Sequence, residues 1–233
     1  MSGRRKRPPL VNRALFEQVG ADSGALTALA AVAHRLGEPG EYRGVAERGE
    51  ETLTFHLRAD PSSPKMQLNV DLVGLGPAPR RPYTGCDCAP EAADEDPDFV
   101  VNPSGFVLFH VSHGQGGYRV RVGRDQGGDR AVFDSARLQG DDLFMLTLVR
   151  PGVYVMRNTL TKARGQIVVP YPKVGKKPLR PGGPVNVKCT EKAVRPARVK
   201  AQPGQGIVWH VGGPARVKVS LTKPDDGPKR PPR

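Results

Sequence analysis

Among the 233 residues, the groups best suited to metal or nucleophile chemistry are Cys86, Cys88, His110 and His113. Thiolate and imidazole together suit a soft or borderline metal ion. Cys86 and Cys88 share a face if the chain there is extended, but Cys-x-Cys is not the Cys-x2-Cys of a structural zinc site. His110 and His113 stand three apart, so in a strand they face opposite ways. They converge only if the strand breaks at Ser112, which Gly114 permits. These four are the candidate metal ligands, and the plainer alternative is unliganded loop thiols. Cys189, in a β-like run with Val187, reads as a buried structural thiol.

Other constellations weaken on inspection. Gly114-Gln115-Gly116-Gly117 lies between two predicted strands and lacks a following Lys-Ser/Thr, so it reads as a hairpin loop rather than a phosphate cradle. Asp141-Asp142 and Asp225-Asp226 read as turn residues, with nothing to place either beside a second carboxylate or a polarised histidine. There is no Gly-x-Ser-x-Gly elbow, His-Glu-x2-His or Walker loop, so the enzyme reading has no positive support and no cofactor is implied. Sharper is the alternation of Arg216, Lys218 and Ser220 against Val217, Val219 and Leu221. It places cations on one face of a strand, with Arg198 and Lys200 expected nearby. That face is either the wet side of a sheet or a site for an anion or an acidic partner.

The elements that position these residues are mainly β. From Glu41 onward the apolar period is two, or the runs are short and β-branched, with Gly/Pro turns at short intervals. Strands are expected at 41–48, 51–58, 66–73, 98–101, 106–111, 117–122, 130–135, 142–149, 152–157, 164–170, 184–190, 195–201, 206–211 and 214–221. The turns Pro103-Ser104-Gly105, Arg150-Pro151-Gly152 and Gln202-Pro203-Gly204 separate them, and Gly212-Gly213 fits a two-residue hairpin loop. Many short strands so spaced predict an antiparallel β-sandwich or sandwiches. Before them, apolar residues from Leu15 to Leu36 recur at spacings of three, four and seven, which predicts two short helices at 10–19 and 24–36. The expected organisation is a disordered basic arm (1–13), a short helical region (14–37), a β body (41–170) and a Pro/Lys linker (171–184). A C-terminal β block (185–222) follows, then a basic tail (223–233). The block is too small for its own core and must dock on the body, for which pairing with the strands at 41–73 is one arrangement.

Composition sets limits on partners. Glycine (28) and proline (24) are abundant, 37% of residues are hydrophobic, and no apolar run reaches the ~20 residues of a membrane helix or forms a signal peptide. Three cysteines are too few for a disulfide scaffold, which points to a reducing cytoplasm. The net charge of +13 is uneven: residues 1–13 carry +5, residues 171–233 carry +12, and 14–170 are left with −4. Within that body, Asp87, Glu91, Asp94, Glu95, Asp96 and Asp98 mark an acidic loop. Basic ends bind nucleic acid, an anionic surface or an acidic protein, or serve only solubility. The aromatics interleaved with cations that nucleic-acid binding favours are scarce in the basic third, where Trp209 sits in an apolar run and reads as core.

The segment from Asp142 to Pro170 resembles the closing hairpin of a cupredoxin domain. Phe144 lies in an aromatic strand, Pro151-Gly152-Val153-Tyr154 forms a Pro-Gly turn into a Tyr strand, and Gly165-Gln166-Ile167-Val168-Val169 makes a Gly-initiated last strand. The resemblance implies a cupredoxin-like β-sandwich from about residue 98. A copper-binding cupredoxin places Cys, His and usually Met after that Tyr strand, whereas this chain has Val155 to Lys162 with neither Cys nor His, so the resemblance implies a domain without copper. The expected function is a non-enzymatic binding or assembly module that self-associates through the acidic loop and basic ends. A nucleic-acid-associated protein is the first alternative, and a metal protein or enzyme using Cys86, Cys88 and the histidines is the second.

Overall fold

The computed structural model describes residues 17–76, 96–125, 131–172 and 181–227. Cys86, Cys88, the basic arm, most of the acidic loop and of the linker, and the end of the tail lie outside them. The described chain is mainly β. Its strands are β1 (Gly20–Asp22), β2 (Ala30–His34), β3 (Gly40–Arg48), β4 (Glu51–Ala59), β5 (Gln67–Asp71), β6 (Asp98–Val101), β7 (Phe106–His110), β8 (Arg119–Arg124) and β9 (Ala131–Asp134). They continue with β10 (Leu143–Thr147), β11 (Gly152–Asn158), β12 (Arg164–Val169), β13 (Val185–Cys189), β14 (Val194–Arg195), β15 (Arg198–Lys200), β16 (Gly206–Val211) and β17 (Val217–Pro224). A seven-stranded sheet runs β14-β13-β16-β10-β2-β7-β5, and two five-stranded sheets run β6-β4-β3-β8-β9 and β15-β12-β11-β17-β1. Buried residues of all three sheets form one hydrophobic cluster, in which Phe109 of β7 meets Phe55 of β4 and Phe133 of β9 at ring distances of 5.9 and 5.5 Å.

Residues 24–36 form a turn and then β2 rather than a helix, and the first expected helix lies outside the described residues except for 17–19. β2 lies inside the seven-stranded sheet, paired with β10 and β7, and that pairing overrides the helical preference of its three alanines. The sheets are not purely antiparallel, because β4–β6, β5–β7, β12–β15 and β13–β16 pair in parallel. The glycine turns at 114–117 and 212–213 are not hairpins. Each carries the chain from the seven-stranded sheet to a five-stranded one. The strands of 185–222 pair with β10, β11 and β12, and none pairs with β3, β4 or β5.

One organising feature escaped the sequence reading. Asp22, Ser23, Leu26, Leu36, Pro39, Gly40 and Tyr42 recur as Asp134, Ser135, Leu138, Leu148, Pro151, Gly152 and Tyr154, each 112 positions on. The recurrence is structural as well. Each tyrosine hydroxyl donates to the carbonyl four residues back, Glu38 or Arg150, at 2.7 Å. Each Pro-Gly corner holds its glycine at positive φ, +143° at Gly40 and +152° at Gly152. Both five-stranded sheets have the same strand order and directions, and β5-β7-β2 matches β13-β16-β10 around the antiparallel β2–β10 pair. The chain is thus a tandem repeat about a pseudo-twofold axis through that pair.

The first strand of each repeat is exchanged, since β1 joins the sheet of the second repeat and β9 that of the first. Both exchanges use the same contacts. Buried Ser23 and Ser135 accept through Oγ from Val217 N and Val120 N, and the following turns bridge Leu26 to Tyr118 and Leu138 to Ala215. Side-chain sizes compensate between the repeats. Phe55 faces Gly44 in one hairpin, whereas Met156 faces Gly165 in the equivalent one, so each pair places one large and one small residue.

Candidate anion-binding face

The four cations singled out from the sequence all lie on the sheet β15-β12-β11-β17-β1 or at its margin, but they do not play one role. Arg216 closes the strand exchange, its Nε and Nη2 donating to Asp22 Oδ1 and Oδ2 at 2.8 and 3.0 Å. Asp22 Oδ1 also accepts from Gly24 N at 2.9 Å. The hydrogen bond to Asp22 raises the Arg216 pKa, so this guanidinium stays charged and engaged. The same clasp recurs between Arg119 and Asp134, at 3.1 and 2.6 Å, with Ala136 N donating to Asp134. Burial would raise the Asp134 pKa, but the bonds from Arg119 and Ala136 N outweigh it and hold the carboxyl below its ordinary range.

The other three, Lys218, Arg198 and Lys200, are exposed. The register adds two cations that the sequence reading passed over. Lys218 stands opposite Arg157, and Arg157 opposite Arg164, giving three cations in one row across β17, β11 and β12. Two residues along the strands the row is Ser220, Val155, Gln166 and Arg198, and beyond it Val168 stands opposite Lys200. Directly paired residues share a face, and the alternate positions Met156, Val199, Val217 and Val219 are buried, so these cations all face solvent. Strands lie ~4.8 Å apart, and successive rows are separated by about 6.7 Å. Among the strand residues of this face the one carboxylate is Asp22, already bonded to Arg216.

On the same scaffold in the first repeat the charge is mixed, because Arg43 and Arg58 stand where the second repeat has Val155 and Val168, while Glu41, Glu47 and Asp98 share their face. Val45, Thr54, Asp98 and Val100 occupy the positions of Arg157, Arg164, Arg198 and Lys200. Arg121, the counterpart of Lys218, pairs with Glu47, and Arg124 pairs with Glu38. Four positions that are neutral or acidic in one repeat are therefore cationic in the other, on sheets of equal strand order. With Lys218 the five cations come from four strands brought together only by sheet register, so no sequence motif marks the whole face.

Of the metal candidates, Cys86 and Cys88 lie outside the described residues. His110 ends β7, and His113 is exposed in the following bend with Nδ1 2.7 Å from Ser112 Oγ. Among the described residues no three His, Cys, Asp or Glu side chains are grouped to hold a metal. Cys189 is buried in β13, and burial pushes its thiol up to about 11. Asp142 proves more than a turn residue. It is buried, lies 2.7 Å from His34 Nδ1, and accepts from Gln139 N, so it ties the start of β10 to β2. Its partner comes from 108 residues away, a distance no local pattern spans. In the other repeat Ala30 and Leu146 fill the same two places, so an apolar contact does the same job there. Among the described residues no helix is long and apolar enough to cross a membrane. No known protein family, curated protein or solved structure matches the chain.

Proposed function

We propose that the chain is a non-enzymatic binding module, two cupredoxin-like β-sandwiches without copper, whose cationic face takes an acidic protein segment. The acidic stretch ending at Asp96 and Asp98 of a second copy is the segment whose chemistry fits best. The observation that carries the reading is the charge contrast between equivalent faces, with Arg157, Arg164, Arg198, Lys200 and Lys218 against a balanced sheet. Asp98 belongs to β6, the edge strand of the other five-stranded sheet, and Asp96 just before it lies 3.7 Å from His56. Donor and acceptor thus sit on different sheets, and an assembly of this kind joins copies head to tail. No outward-facing strand residue of the cationic face is aromatic, which favours an acidic peptide over stacked bases. The cupredoxin-like reading is supported by the run of β10, Pro-Gly corner, Tyr strand β11 and β12, repeated as β2, Pro39-Gly40, β3 and β4.

Sedimentation of the full chain tests this. Association at low ionic strength should weaken toward ~0.5 M salt, where the Debye length falls to a few Å. Changing Arg157, Arg164, Arg198, Lys200 and Lys218 to Gln should abolish it. A monomer at every salt concentration, or association unchanged in the variant, would overturn the reading. So would preferential binding of duplex DNA to this face with a steep dependence on salt.

A further inference from the structure

Two sheet edges hold equivalent places in the repeats and carry opposite charge. β6 closes one side of the first five-stranded sheet and β15 the matching side of the second, each paired in parallel to a single neighbour, β4 or β12. The carbonyls of Pro97 and Val101 accept from His56 N and Asp60 N, so β6 turns its odd-numbered backbone groups toward β4. Likewise Ala197 O accepts from Gln166 N and Ala201 N donates to Val168 O, so β15 turns residues 197, 199 and 201 toward β12. Backbone groups alternate along a strand, which leaves the N–H and C=O of Asp98, Val100, Arg198 and Lys200 pointing out of the sheet. Among the described residues no loop or turn backbone group bonds to them. The opposite edges differ. On β1 Gln18 Nε2 donates to Gly20 O and Ala25 N to Asp22 O, and on β9 Arg137 N donates to Asp134 O.

An open edge templates a further strand, and the charge on it selects which strand. Asp96 and Asp98 are exposed along the β6 edge, and Arg198 and Lys200 along the β15 edge. Pairing β6 with β6 would oppose carboxylates, and β15 with β15 would oppose cations. Only β6 against β15 matches unlike charges. In an antiparallel register with Asp98 opposite Arg198, Asp96 falls opposite Lys200. Val100 then reaches Pro196, which has no N–H, and the ladder ends there. Arg58 of β4 stands level with Val100, at that end of the ladder.

We infer that the β6 edge of one copy pairs antiparallel with the β15 edge of the next, so that two five-stranded sheets join into one. This contact rests on the self-association proposed above and gives it a geometry. Directly paired residues share a face, so Asp98 extends the row Ser220, Val155, Gln166 and Arg198, and the acidic stretch meets the cationic face from its margin.

Two substitutions of one residue separate main chain from charge. Arg198→Gln and Arg198→Pro remove the same charge, but only proline removes the N–H, and that N–H faces away from β12, where an edge strand tolerates proline. In sedimentation of the full chain at low salt, Arg198→Pro should associate ~10-fold more weakly than Arg198→Gln. Quenched amide exchange follows the wild-type chain, associated at low salt and read at high salt. The amides of Asp98, Arg198 and Lys200 should slow at least ~10-fold, while Gly20 at the opposite edge is unchanged. Charge reversal gives a third reading. Asp96→Lys with Asp98→Lys, and separately Arg198→Glu with Lys200→Glu, should each fail to self-associate, and the two variants should associate on mixing. Equal association of the proline and glutamine variants, unprotected edge amides, or no recovery on mixing overturns the edge pairing, and the cationic-face reading stands if wild-type association still weakens with salt. A wild-type chain monomeric at every salt concentration overturns both.

Discussion

The strand exchange rests on two equivalent clasps, and this equivalence can be measured. In Asp22→Ala the chain loses both bonds from Arg216 and the turn bond from Gly24 N. Exposed ion pairs contribute about 0–1 kcal/mol, and breaking a fully buried one costs ~3–5 kcal/mol. The pair lies between these limits, since the Asp22 side chain is 15% exposed and that of Arg216 38%, so solvent screening removes a good part of the buried value. With the lost turn bond at ~1 kcal/mol, Asp22→Ala should destabilise by about 2–3 kcal/mol. Asp22→Asn keeps the side-chain oxygen for Gly24 N and should cost roughly half as much. Asp134→Ala removes the same three bonds, with side chains exposed to 20% and 41%, and should match Asp22→Ala within about 1 kcal/mol. Urea unfolding with a common slope is the assay. A double-mutant cycle on Asp22 and Arg216 should return a coupling of about 1 kcal/mol or more. Coupling near zero, or one aspartate indispensable and the other silent, would refute equivalent clasps.

Three further outcomes follow from particular contacts. Gly152→Ala should lower the melting temperature by several degrees, because φ is +152° and the new Cβ would lie 2.6 Å from Leu221 Cδ1 and Lys223 O. Asp134 is held below its ordinary 3.8 when folded, so its stabilising contribution is present above that pH and is lost as pH falls through the folded value; Asp134→Asn should flatten acid unfolding there. The Cys189 thiol, raised from its ordinary 9.0 to about 11, should resist alkylation at pH 8 in the folded chain. Its contribution, roughly 2–3 kcal/mol, is complete below pH 9 and fades toward pH 11, so Cys189→Val should reduce alkaline destabilisation in that window.

Strand positions were legible in the sequence because alternation and Gly/Pro punctuation are local signals. The segment 206–211 matches β16 and 98–101 matches β6 residue for residue. Partners were not legible. Pro151-Gly152 declares a corner, but nothing in it says whether the next strand pairs with the last or crosses to another sheet. The helix expected at 24–36 gives way to β2 because alanine suits a helix in isolation, and only β10 and β7 on its flanks decide otherwise. Lys218, Arg198 and Lys200 could be found from the sequence, whereas Arg157 and Arg164 enter the site only through register. The repeat had a readable signal, Asp-Ser-x2-Leu followed by Pro-Gly-x-Tyr at a fixed separation. Divergence elsewhere, such as Phe106 to Gly206, dilutes it below what composition or periodicity detects.

A peptide spanning residues 87–98, added to the full chain at low salt and followed by amide hydrogen exchange, bears most directly on the cationic face. Slowed exchange is expected on β11, β12, β15 and β17, with β3, β4 and β8 unchanged. Equal protection of both five-stranded sheets, or none on either, would contradict it.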